Sequence, residues 1–401
     1  MPLSKKIIAL NTGSSSVKFA LFEIGKTERL VFSGSLTGIG RSEGRFSVQD
    51  DRGNSITNER AATQHHNAAC DYVFSWIQSQ NEGNNPDALG HRIVHGSPLY
   101  STPQIVTPEL ITSLDTMSSY APEHLPQAIN AIRHAARLFP GTLQVTCFDT
   151  SFHSTMPPVA KLYALPEAIR KKGVYRYGFH GLSYEYILLE LKRRYGLEVV
   201  GKRIILAHLG HGASMAAVKD GKSIETTMGF SPAGGLVMST RTGDLDPGVI
   251  LFLLQENKMT PAGIKEMVNR QSGLLGLSGK TDDMRELLNI QKVDDAARQA
   301  VDLFCYQARK YIGALATVLG GLDIVVFTGG IGEHSPEIRS RICAGLEFLG
   351  IKVDDRKNSA NSPVISEMSG PVEIRIMKTN EELMIARQTM KVLETWKKQT
   401  K

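Results

Sequence analysis

The sequence predicts an α/β protein built from two similar halves, and three observations support this prediction. An apolar run followed by a small-residue turn occurs twice, in Ile7–Phe19 and Ile204–Ser214, and the copies align without a gap, matching Gly13 to Gly210. Each copy opens a series in which strand patterns come first and helical periodicity follows. The 401-residue chain, 41% hydrophobic, is long enough to bury two ordinary cores.

Each repeated segment predicts a β-hairpin with a tip suited to phosphate. The apolar stretches Val17–Phe22 and Met215–Val218 supply the second strands. Glycine and small side chains at the turn leave backbone N–H groups accessible, and such turns bind phosphate oxygens. We therefore expect a nucleotide between the two halves.

Periodicity places the other elements of the first half. Strands continue to about residue 57, and further strands are expected at His91–Val94 and Leu143–Phe148. Helices are predicted at about Ala61–Gln80, Pro108–Tyr120 and His124–Leu138.

The loop-rich stretch Ser151–Gly181 leads into the second half. Its predicted strands, after the hairpin, are Asp323–Phe327 and Val372–Met377. The predicted helices lie at about Ser183–Tyr195, Pro247–Glu256, Thr260–Gln271, Asp294–Leu319 and Glu381–Trp396.

The repeat is also expected at the far end of each half. Phe148–Thr150 and Phe327–Gly330 each close a strand, which predicts that these two strands are counterparts. Ligands of α/β folds bind at the carboxyl ends of strands. Both glycine clusters and Asp149 fall at such ends.

Composition excludes several classes of protein. The net charge is +6, but Lys and Arg are spread along the chain without a run of five basic residues, so nucleic-acid binding is not expected. The four cysteines form no zinc or CxxC pattern, which is typical of a reducing compartment. The apolar run after Lys6 is too short for a signal peptide, and Ile312–Phe327 is interrupted by glycines and Asp323. These features predict a cytoplasmic protein without a membrane segment.

Two motifs carry little weight. Leu274–Thr281 resembles a P-loop but lacks its first glycine and follows a predicted helix rather than a strand. The eleven histidines include no HExxH pattern and no Cys/His cluster, so no zinc site is expected.

Three other features are compatible with phosphoryl transfer. Phe327–Glu333 ends a strand, with a helix starting at Ser335–Pro336, and is either a simple strand–helix turn or a nucleotide-binding turn. Arg92 lies in an apolar strand, where a cation is costly unless paired, and Arg241 lies in a polar loop before a helix. Each arginine is either a structural ion-pair partner or part of a site that stabilises a transferring phosphoryl group.

Together with their neighbours, these residues resemble the acetate kinase family. Eight motifs occur in the expected order over nearly the whole chain: Asn11–Lys18 (with Gly13 and Ser14–Ser16), His91–Gly96, Phe148–His153, Tyr177–Gly181, His208–Gly210, Thr240–Pro247, Gly329–Glu333 and Thr379–Glu382.

The resemblance implies a duplicated ribonuclease-H-like fold of the sugar kinase, Hsp70 and actin superfamily, with the active site in the cleft between two domains. The expected domains are residues 1–150 plus 381–401 and the nucleotide-binding residues 151–380. Members of the family are homodimers that transfer phosphate reversibly between ATP and a short carboxylate, giving ADP and, from acetate, acetyl phosphate. They use Mg²⁺, with Mn²⁺ as a possible substitute.

The resemblance also implies roles for individual residues. The expected catalytic residues are Asp149, His180 and Arg241, and the expected metal ligands are Asn11 and Glu381. The expected substrate-binding residues are Arg92, Val94, His124, Phe179 and Pro232. The expected ATP-binding residues are Lys18, His208, Leu209, Gly210, His211, Gly212, Asp283, Met284, Arg285, Gly330, Ile331, Gly332, Glu333 and His334.

Five positions depart from the family pattern. His211 and His334 stand where the family usually has Asn, and Ser97 and Ser239 stand at usual glycines. Glu123 stands where an apolar residue usually lines the substrate pocket. These departures affect the nucleotide side and the acyl pocket but leave the expected phosphoryl-transfer residues in place.

The chemistry that the resemblance implies is direct in-line transfer to a carboxylate. A carboxylate is already ionised at pH 7, so the reaction needs charge neutralisation and positioning rather than a strong base. We therefore expect Asp149 chiefly to orient the metal or its water.

Three alternatives stay open at this point. The first is a propionate or butyrate kinase. Val94 favours the shorter acid, acetate, because propionate-preferring members of the family tend to have a smaller residue at this position. The second is a catalytically weakened regulator, suggested by His211 and His334. The third is a sugar or alcohol kinase, whose nucleophile would need a positioned base.

Overall fold

The computed structural model describes residues 4–13, 15–80 and 85–399, so Ser14 of the first glycine-rich turn lies outside the described residues. The chain divides into two compact units, Met1–Ser151 with Asn380–Lys401 and Phe152–Thr379. Each unit has its own sheet with helices packed against it. Among the described residues, no helix combines the length and apolar character needed to cross a bilayer.

Thirteen strands are seen among the described residues. They are β1 Lys5–Thr12, β2 Ser16–Ile24, β3 Glu28–Thr37, β4 Arg45–Asp50, β5 Ser55–Arg60, β6 Ala88–Ile93, β7 Gln104–Ile105, β8 Leu143–Phe148, β9 Ile204–Leu209, β10 Ala213–Lys219, β11 Lys222–Thr226, β12 Ile324–Thr328 and β13 Glu373–Ile376.

The same residues form fifteen α-helices. They are α1 His66–Gln80, α2 Pro108–Thr116, α3 Leu125–Leu138, α4 Pro158–Lys161, α5 Glu167–Arg170, α6 Gly181–Tyr195, α7 Pro247–Gln255, α8 Pro261–Arg270, α9 Gly273–Ser278, α10 Met284–Ile290, α11 Asp295–Leu319, α12 Gly329–His334, α13 Pro336–Cys343, α14 Asp355–Ser359 and α15 Glu381–Gln399.

The two sheets share one strand order. The first sheet runs β5-β4-β3-β2-β1-β6-β8-β7 and the second β11-β10-β9-β12-β13. In both, the first hairpin strand pairs antiparallel with its hairpin partner and parallel with a later strand, β1 with β6 and β9 with β12. The inner five strands of the first sheet thus repeat the whole of the second. This confirms the predicted duplicated α/β fold.

The expected equivalence of the strands ending at Phe148 and Phe327 is wrong. Strand β12 pairs with β9 as β6 pairs with β1, so the counterpart of Phe327 lies in β6. The counterpart of β8 is β13, which is the next parallel strand outward. The error arose because any buried parallel strand is a short apolar run, whereas its place in the sheet depends on pairing.

Several predicted boundaries shift. The first helix begins at His66 rather than Ala61, because Ala61 N–H donates to Gly44 O and Thr63 O accepts from Gly40 N–H. Strand β6 ends at Ile93, one residue before Val94. The glycine run after Phe327 is itself helical, as α12, ahead of the predicted helix at Pro336.

The C-terminal helix α15 packs on β1, β6 and β8 of the first unit. This packing depends on Gly90 in β6, where a Cβ would lie 2.2 Å from Thr389 Oγ1 and 2.6 Å from Ile385 Cγ2. The close approach fixes the helix so that its first residue, Glu381, lies beside Asn11 at the end of β1. Gly90, which has no side chain, therefore helps to position Glu381, one of the polar residues of the site described below.

Candidate active site

Four of the predicted site residues meet at the carboxyl end of the first sheet. Asn11 is near the end of β1, Arg92 near the end of β6, Asp149 directly after β8, and Glu381 at the start of α15. These strands are parallel neighbours, so their ends lie along one edge. The structure thus brings together residues up to 370 positions apart in the sequence.

Hydrogen bonds connect this cluster. Arg92 donates through Nε to Asp149 Oδ2 at 3.0 Å and through Nη1 to Asn11 Oδ1 at 2.9 Å, and its Nη2 also contacts Asp149 Oδ2. The Asn11 amide then donates to Glu381 Oε2 at 3.1 Å and Glu382 Oε1 at 3.4 Å. These contacts use three of the five N–H donors of the guanidinium.

Charge pairing makes the buried position of Arg92 tolerable. Burial alone would lower the pKa of Arg92, but Asp149 and Glu381 outweigh it and raise that pKa above its ordinary value. Asp149 is completely buried. The prediction that an arginine in this apolar strand needs a partner is confirmed.

A second group of predicted residues meets at the tip of the β9–β10 hairpin, within the second unit. The turn closes with a hydrogen bond from Gly210 N–H to Gly212 O at 3.0 Å. A Cβ at Gly212 would lie 3.2 Å from His180 Nε2 and 3.6 Å from Arg241 Nη1. A Cβ at Gly210 would lie 3.7 Å from the backbone N of Gly330 and 3.8 Å from His208 Nε2. Two imidazoles, a guanidinium and a helix start therefore surround one glycine-rich turn.

The loop that carries Arg241 is held by the start of α9. Leu274 N–H donates to Met238 O at 2.9 Å, and Ser272 N–H donates to Thr240 O at 3.0 Å. Gly273 has φ +61°, and a Cβ there would lie 2.1 Å from Met238 O, so only glycine permits this approach. The segment that superficially resembled a P-loop is thus a short helix supporting Arg241.

The two imidazoles of this group are stacked. The ring centroids of His180 and His208 are 4.3 Å apart, with planes inclined by 23°. His180 Nδ1 lies 2.8 Å from Ser214 Oγ, and His208 Nδ1 lies 2.9 Å from Ser183 Oγ. His180 itself has a left-handed backbone, with φ 58°. Each ring is therefore oriented by a serine through Nδ1.

Beside the hairpin tip, the second unit has a cavity of about 740 Å³. This volume can take a nucleoside. Eight of the predicted ATP-binding residues line it: Gly210, His211, Asp283, Met284, Arg285, Gly330, Ile331 and His334. Sequence reasoning did not assign Asp282, Leu288 or Asn289 to this cavity, although they follow or flank residues that it did assign.

Other predicted ATP-binding residues lie elsewhere. Leu209 is buried, as is Gly332. The Glu333 carboxylate accepts a hydrogen bond from Gly329 N–H at 2.9 Å, so it caps the start of its own helix. Lys18 is exposed on β2 of the first unit, directly opposite Asn11 in the β1–β2 ladder.

A buried arginine that sequence reasoning missed supports the glycine helix α12. Arg339 Nη1 donates to Gly332 O at 2.8 Å and to Glu333 O at 3.1 Å, while the other nitrogens donate to Asn358 and Asn361. Burial lowers the pKa of Arg339 to about 10. The available signal was a cation between the buried residues Ile338 and Ile342 of α13.

The predicted substrate-binding residues are distributed over both units. Val94, which is buried, and His124, just before α3, belong to the first unit with Arg92. Phe179 and Pro232 belong to the second, where Pro232 O accepts a hydrogen bond from Arg241 Nη1 at 3.3 Å. Phe179 O lies 3.0 Å from Nε2 of the buried His153, whose Nδ1 contacts Ser223 Oγ at 2.8 Å.

The departures from the family pattern have local consequences. His211 Nδ1 lies 3.5 Å from Asp282 Oδ2 at the edge of the cavity, and His334 lies 3.9 Å from Glu333 Oε2. Ser239 Oγ donates to Asp282 O at 3.0 Å. Ser97 keeps the left-handed backbone that glycine would favour, with φ 53°, at a cost on the order of 1 kcal/mol.

The duplicated strand order, together with a small-residue hairpin turn containing glycine in each sheet, defines a two-domain α/β fold of the actin-like ATPase type. The sequence profile of the acetokinase family matches residues 6–387. An acetate kinase of Methylocella silvestris is 44% identical, with 98% of this chain and 99% of the relative covered. This protein belongs to the acetokinase family.

Solved structures agree with this assignment. The crystal structure of Porphyromonas gingivalis acetate kinase is 37% identical, with a TM-score of 0.85 over 97% of this chain and 100% of that one. The crystal structure of a propionate kinase from Francisella tularensis is 34% identical, with a TM-score of 0.89 over 96% of this chain and 99% of that one.

Proposed function

We propose that this protein is an ATP:acetate phosphotransferase, which reversibly forms acetyl phosphate and ADP. The observation that carries the proposal is the approach of His180 Nε2 and Arg241 Nη1 to the same turn residue, Gly212. Within the acetokinase family, a hairpin tip surrounded by such donors is suited to a transferring phosphoryl group. The adjacent cavity of about 740 Å³ is the proposed nucleotide site.

The chemistry requires charge stabilisation more than proton transfer. The acetate nucleophile is ionised at neutral pH, and the transferring phosphoryl spreads negative charge over its oxygens. Arg241 and His180 are proposed to donate to those oxygens in the transition state. Arg92 is proposed to hold the acetate carboxylate with the N–H donors that Asn11 and Asp149 leave available. Transfer is proposed to be direct and in line. The predicted placement of this chemistry between the two domains stays a prediction.

The first unit has oxygen donors suited to Mg²⁺. Asn11, Asp149 and Glu381 offer an amide oxygen and carboxylates within one hydrogen-bonded cluster, and Mg²⁺ prefers such hard ligands, often only one or two of them beside phosphate and water. We propose that Asn11 and Glu381 hold the ion and that Asp149 orients it or its water. A bound Mg²⁺ would neutralise phosphate charge. Mn²⁺ fits the same donors.

Acetate is the proposed acceptor, and propionate or butyrate is the alternative. The propionate kinase among the similar structures keeps that alternative open. One methylene in an apolar pocket changes discrimination by only about 1–3 kcal/mol. Comparing kcat/KM for acetate, propionate and butyrate decides the question. Acetate is expected to be preferred, and Val94→Ala is expected to improve propionate relative to acetate. Equal values for all three acids in the wild type would contradict the role of Val94.

A catalytically weakened regulator is the second candidate function, because His211 and His334 line the proposed nucleotide cavity. We favour the enzyme, since Arg92, Asp149, His180 and Arg241 all remain. Asparagine at both positions, His211→Asn with His334→Asn, provides the test. A weakened regulator would gain activity by orders of magnitude in that variant, whereas an active enzyme would change only its KM for ATP.

We further propose that the protein is a homodimer that uses helix α7. This helix is apolar on every face and has no buried residue, with Leu251 and Phe252 each 56% exposed. Such a surface is typical of a covered interface. Leu251→Glu with Phe252→Glu is expected to halve the mass measured by light scattering. Phe348→Glu, at another exposed aromatic of the same unit, is the control and should leave the mass unchanged. A wild type that is already monomeric would contradict the proposal.

A cytoplasmic location is proposed as well.

A further inference from the structure

We propose that the stacked histidines are held in opposite neutral tautomers: His180 carries its proton on Nε2 and His208 carries its proton on Nδ1. The residues that set these tautomers are Ser214 and Tyr184 for His180, and Ser183 and Thr379 for His208. The assignment of protons stands on hydrogen-bond geometry. Its catalytic meaning rests on the proposed function, since it makes His180 the donor to the phosphoryl group.

The tautomer of His208 follows from the hydroxyl of Ser183. That hydroxyl donates to Thr379 Oγ1 at 2.7 Å, which uses its single hydrogen. Its oxygen also lies 2.9 Å from His208 Nδ1, so this second contact requires an N–H donated by the imidazole. Ser183 is completely buried. A neutral His208 is therefore protonated on Nδ1, and its Nε2 is an acceptor.

The tautomer of His180 follows from the buried pair Tyr184 and Ser214. Ser214 Oγ contacts the Tyr184 hydroxyl and lies 2.8 Å from His180 Nδ1. A phenol, with a pKa near 10, is a far stronger acid than an aliphatic alcohol and is the better donor of the two hydroxyls. Tyr184 therefore donates to Ser214, and Ser214 donates onward to His180 Nδ1. The remaining proton of a neutral His180 is on Nε2.

Neighbouring cations disfavour the imidazolium form of the two rings. The ring centroids are 4.3 Å apart, and two imidazolium ions at that distance would repel each other. The guanidinium of Arg241 approaches the same Gly212 that His180 Nε2 approaches, which disfavours a further cation. Neutral rings have one donor nitrogen each, so the serine contacts decide which nitrogen it is.

The two imidazole rings therefore have different hydrogen-bonding roles at the hairpin tip. His180 Nε2, at the Gly212 side, is a donor that can stabilise phosphoryl oxygens without adding a full charge. His208 Nε2, at the Gly210 side, is an acceptor and cannot hold a phosphate oxygen. Ser214 and Tyr184 are then positioning residues, because they act on the phosphoryl group only through His180.

The test is ¹⁵N NMR of the full-length protein labelled with [¹⁵N]histidine in a deuterated background, at neutral pH without ligand. Two-bond ¹H–¹⁵N correlations distinguish the two tautomers, and His180→Gln and His208→Gln assign the signals. The expected spectrum has His180 protonated on Nε2 and His208 on Nδ1. The same tautomer for both rings, or the reverse assignment, would overturn the proposal whatever the enzyme activity. A spectrum as expected in a protein that forms no acyl phosphate would leave the tautomers standing and remove the proposed function alone.

Variants separate positioning from simple support. Ser214→Ala should convert His180 to a tautomer mixture while leaving His208 unchanged, and it should lower kcat with little change in the KM for ATP. Ser223→Ala removes a matched hydroxyl, 2.8 Å from Nδ1 of the buried His153, and should leave the His180 and His208 signals unchanged. An unaltered His180 signal in Ser214→Ala would show that Ser214 does not set the tautomer. Tyr184→Phe keeps the Ser214 bond to His180. In this variant His180 should still favour the Nε2-protonated tautomer, but less strongly than in the wild type.

Discussion

Arg339 donates a hydrogen bond from Nη1 to the carbonyl oxygen of Gly332 at 2.8 Å. This contact joins a fully buried cation of α13 to the short helix α12, which bears Gly330, Ile331 and His334 on the wall of the proposed nucleotide cavity. An unpaired buried carbonyl costs about 1–3 kcal/mol. The position of the glycine helix should therefore depend on Arg339.

Replacing Arg339 should impair nucleotide binding selectively. Arg339→Met is expected to lower the Tm by several degrees and raise the KM for ATP roughly tenfold, with the KM for acetate unchanged. Arg375→Met, at another buried arginine of the second unit, is the control and should lower the Tm without altering either KM. Asn361→Ala removes only an acceptor on the far side of Arg339 and should preserve the KM for ATP. An unchanged KM for ATP in Arg339→Met would show that the contact is merely structural.

Arg241 and Arg92 should respond differently to truncation. Arg241→Ala is expected to lower kcat on the order of 10³-fold, because an arginine on the transferring phosphoryl acts in the transition state. Arg92→Ala should also raise the KM for acetate, since Arg92 is proposed to bind the ground-state carboxylate. Lysine at either position should restore activity only in part because it lacks the planar fork. Steady-state kinetics checks both variants, and wild-type values for either would refute that residue's role.

Two buried histidines should make the protein less stable in mild acid. Burial lowers the pKa of His91 and of His153 to about 4, from 6.5 in an unfolded chain. Between these values the unfolded chain binds more protons, so stability is full above pH 6.5 and declines as the pH falls towards 4. At pH 5 each histidine should lower the free energy of unfolding by about 2 kcal/mol relative to neutral pH.

Urea unfolding between pH 7.5 and 5 measures this decline. His153→Gln should have a flatter pH dependence than the wild type, whereas His65→Gln, at an exposed histidine of the first unit, should not. Parallel curves for the wild type and His153→Gln would mean that His153 does not supply the pH dependence.

Gly90 should be essential for the packing of α15. Gly90→Ala would place a methyl group 2.2 Å from Thr389 Oγ1, forcing helix and sheet apart, and we expect a loss of about 3 kcal/mol or more. Gly313→Ala, in α11, meets no atom within 4 Å and should stabilise by up to about 1 kcal/mol through helix propensity. Chemical denaturation of the two variants provides the comparison. Equal stabilities would contradict the packing described for Gly90.

Local patterns predicted the fold better than they predicted long-range geometry. Strand β8 was predicted with its observed bounds, Leu143–Phe148, because a buried strand between turn residues has a strong local signature. The hairpin repeat predicted the duplication. The wrong pairing of Phe148 with Phe327 shows the limit, since strand order depends on contacts between distant residues.

The same limit applies to the site. The sequence around Arg92 indicated that a buried arginine there must be paired. Nothing local indicated that its hydrogen-bond partners are Asn11 and Asp149. The support that α9 gives to Arg241 and the hydrogen bonds of Arg339 to α12 arise only in the folded chain. The family resemblance places Glu333 among the ATP-binding residues, but nothing in the sequence indicates that its carboxylate caps α12.

The formation of an acyl phosphate tests the central claim most directly. Purified protein is incubated with Mg·ATP, acetate and hydroxylamine, and acetyl hydroxamate is measured together with ADP. We predict equal amounts of both products, dependent on acetate, at catalytic enzyme concentration, and a rate reduced on the order of 10³-fold by Arg241→Ala. ADP without hydroxamate, or phosphorylation of glycerol or a hexose with none of acetate, would contradict the account.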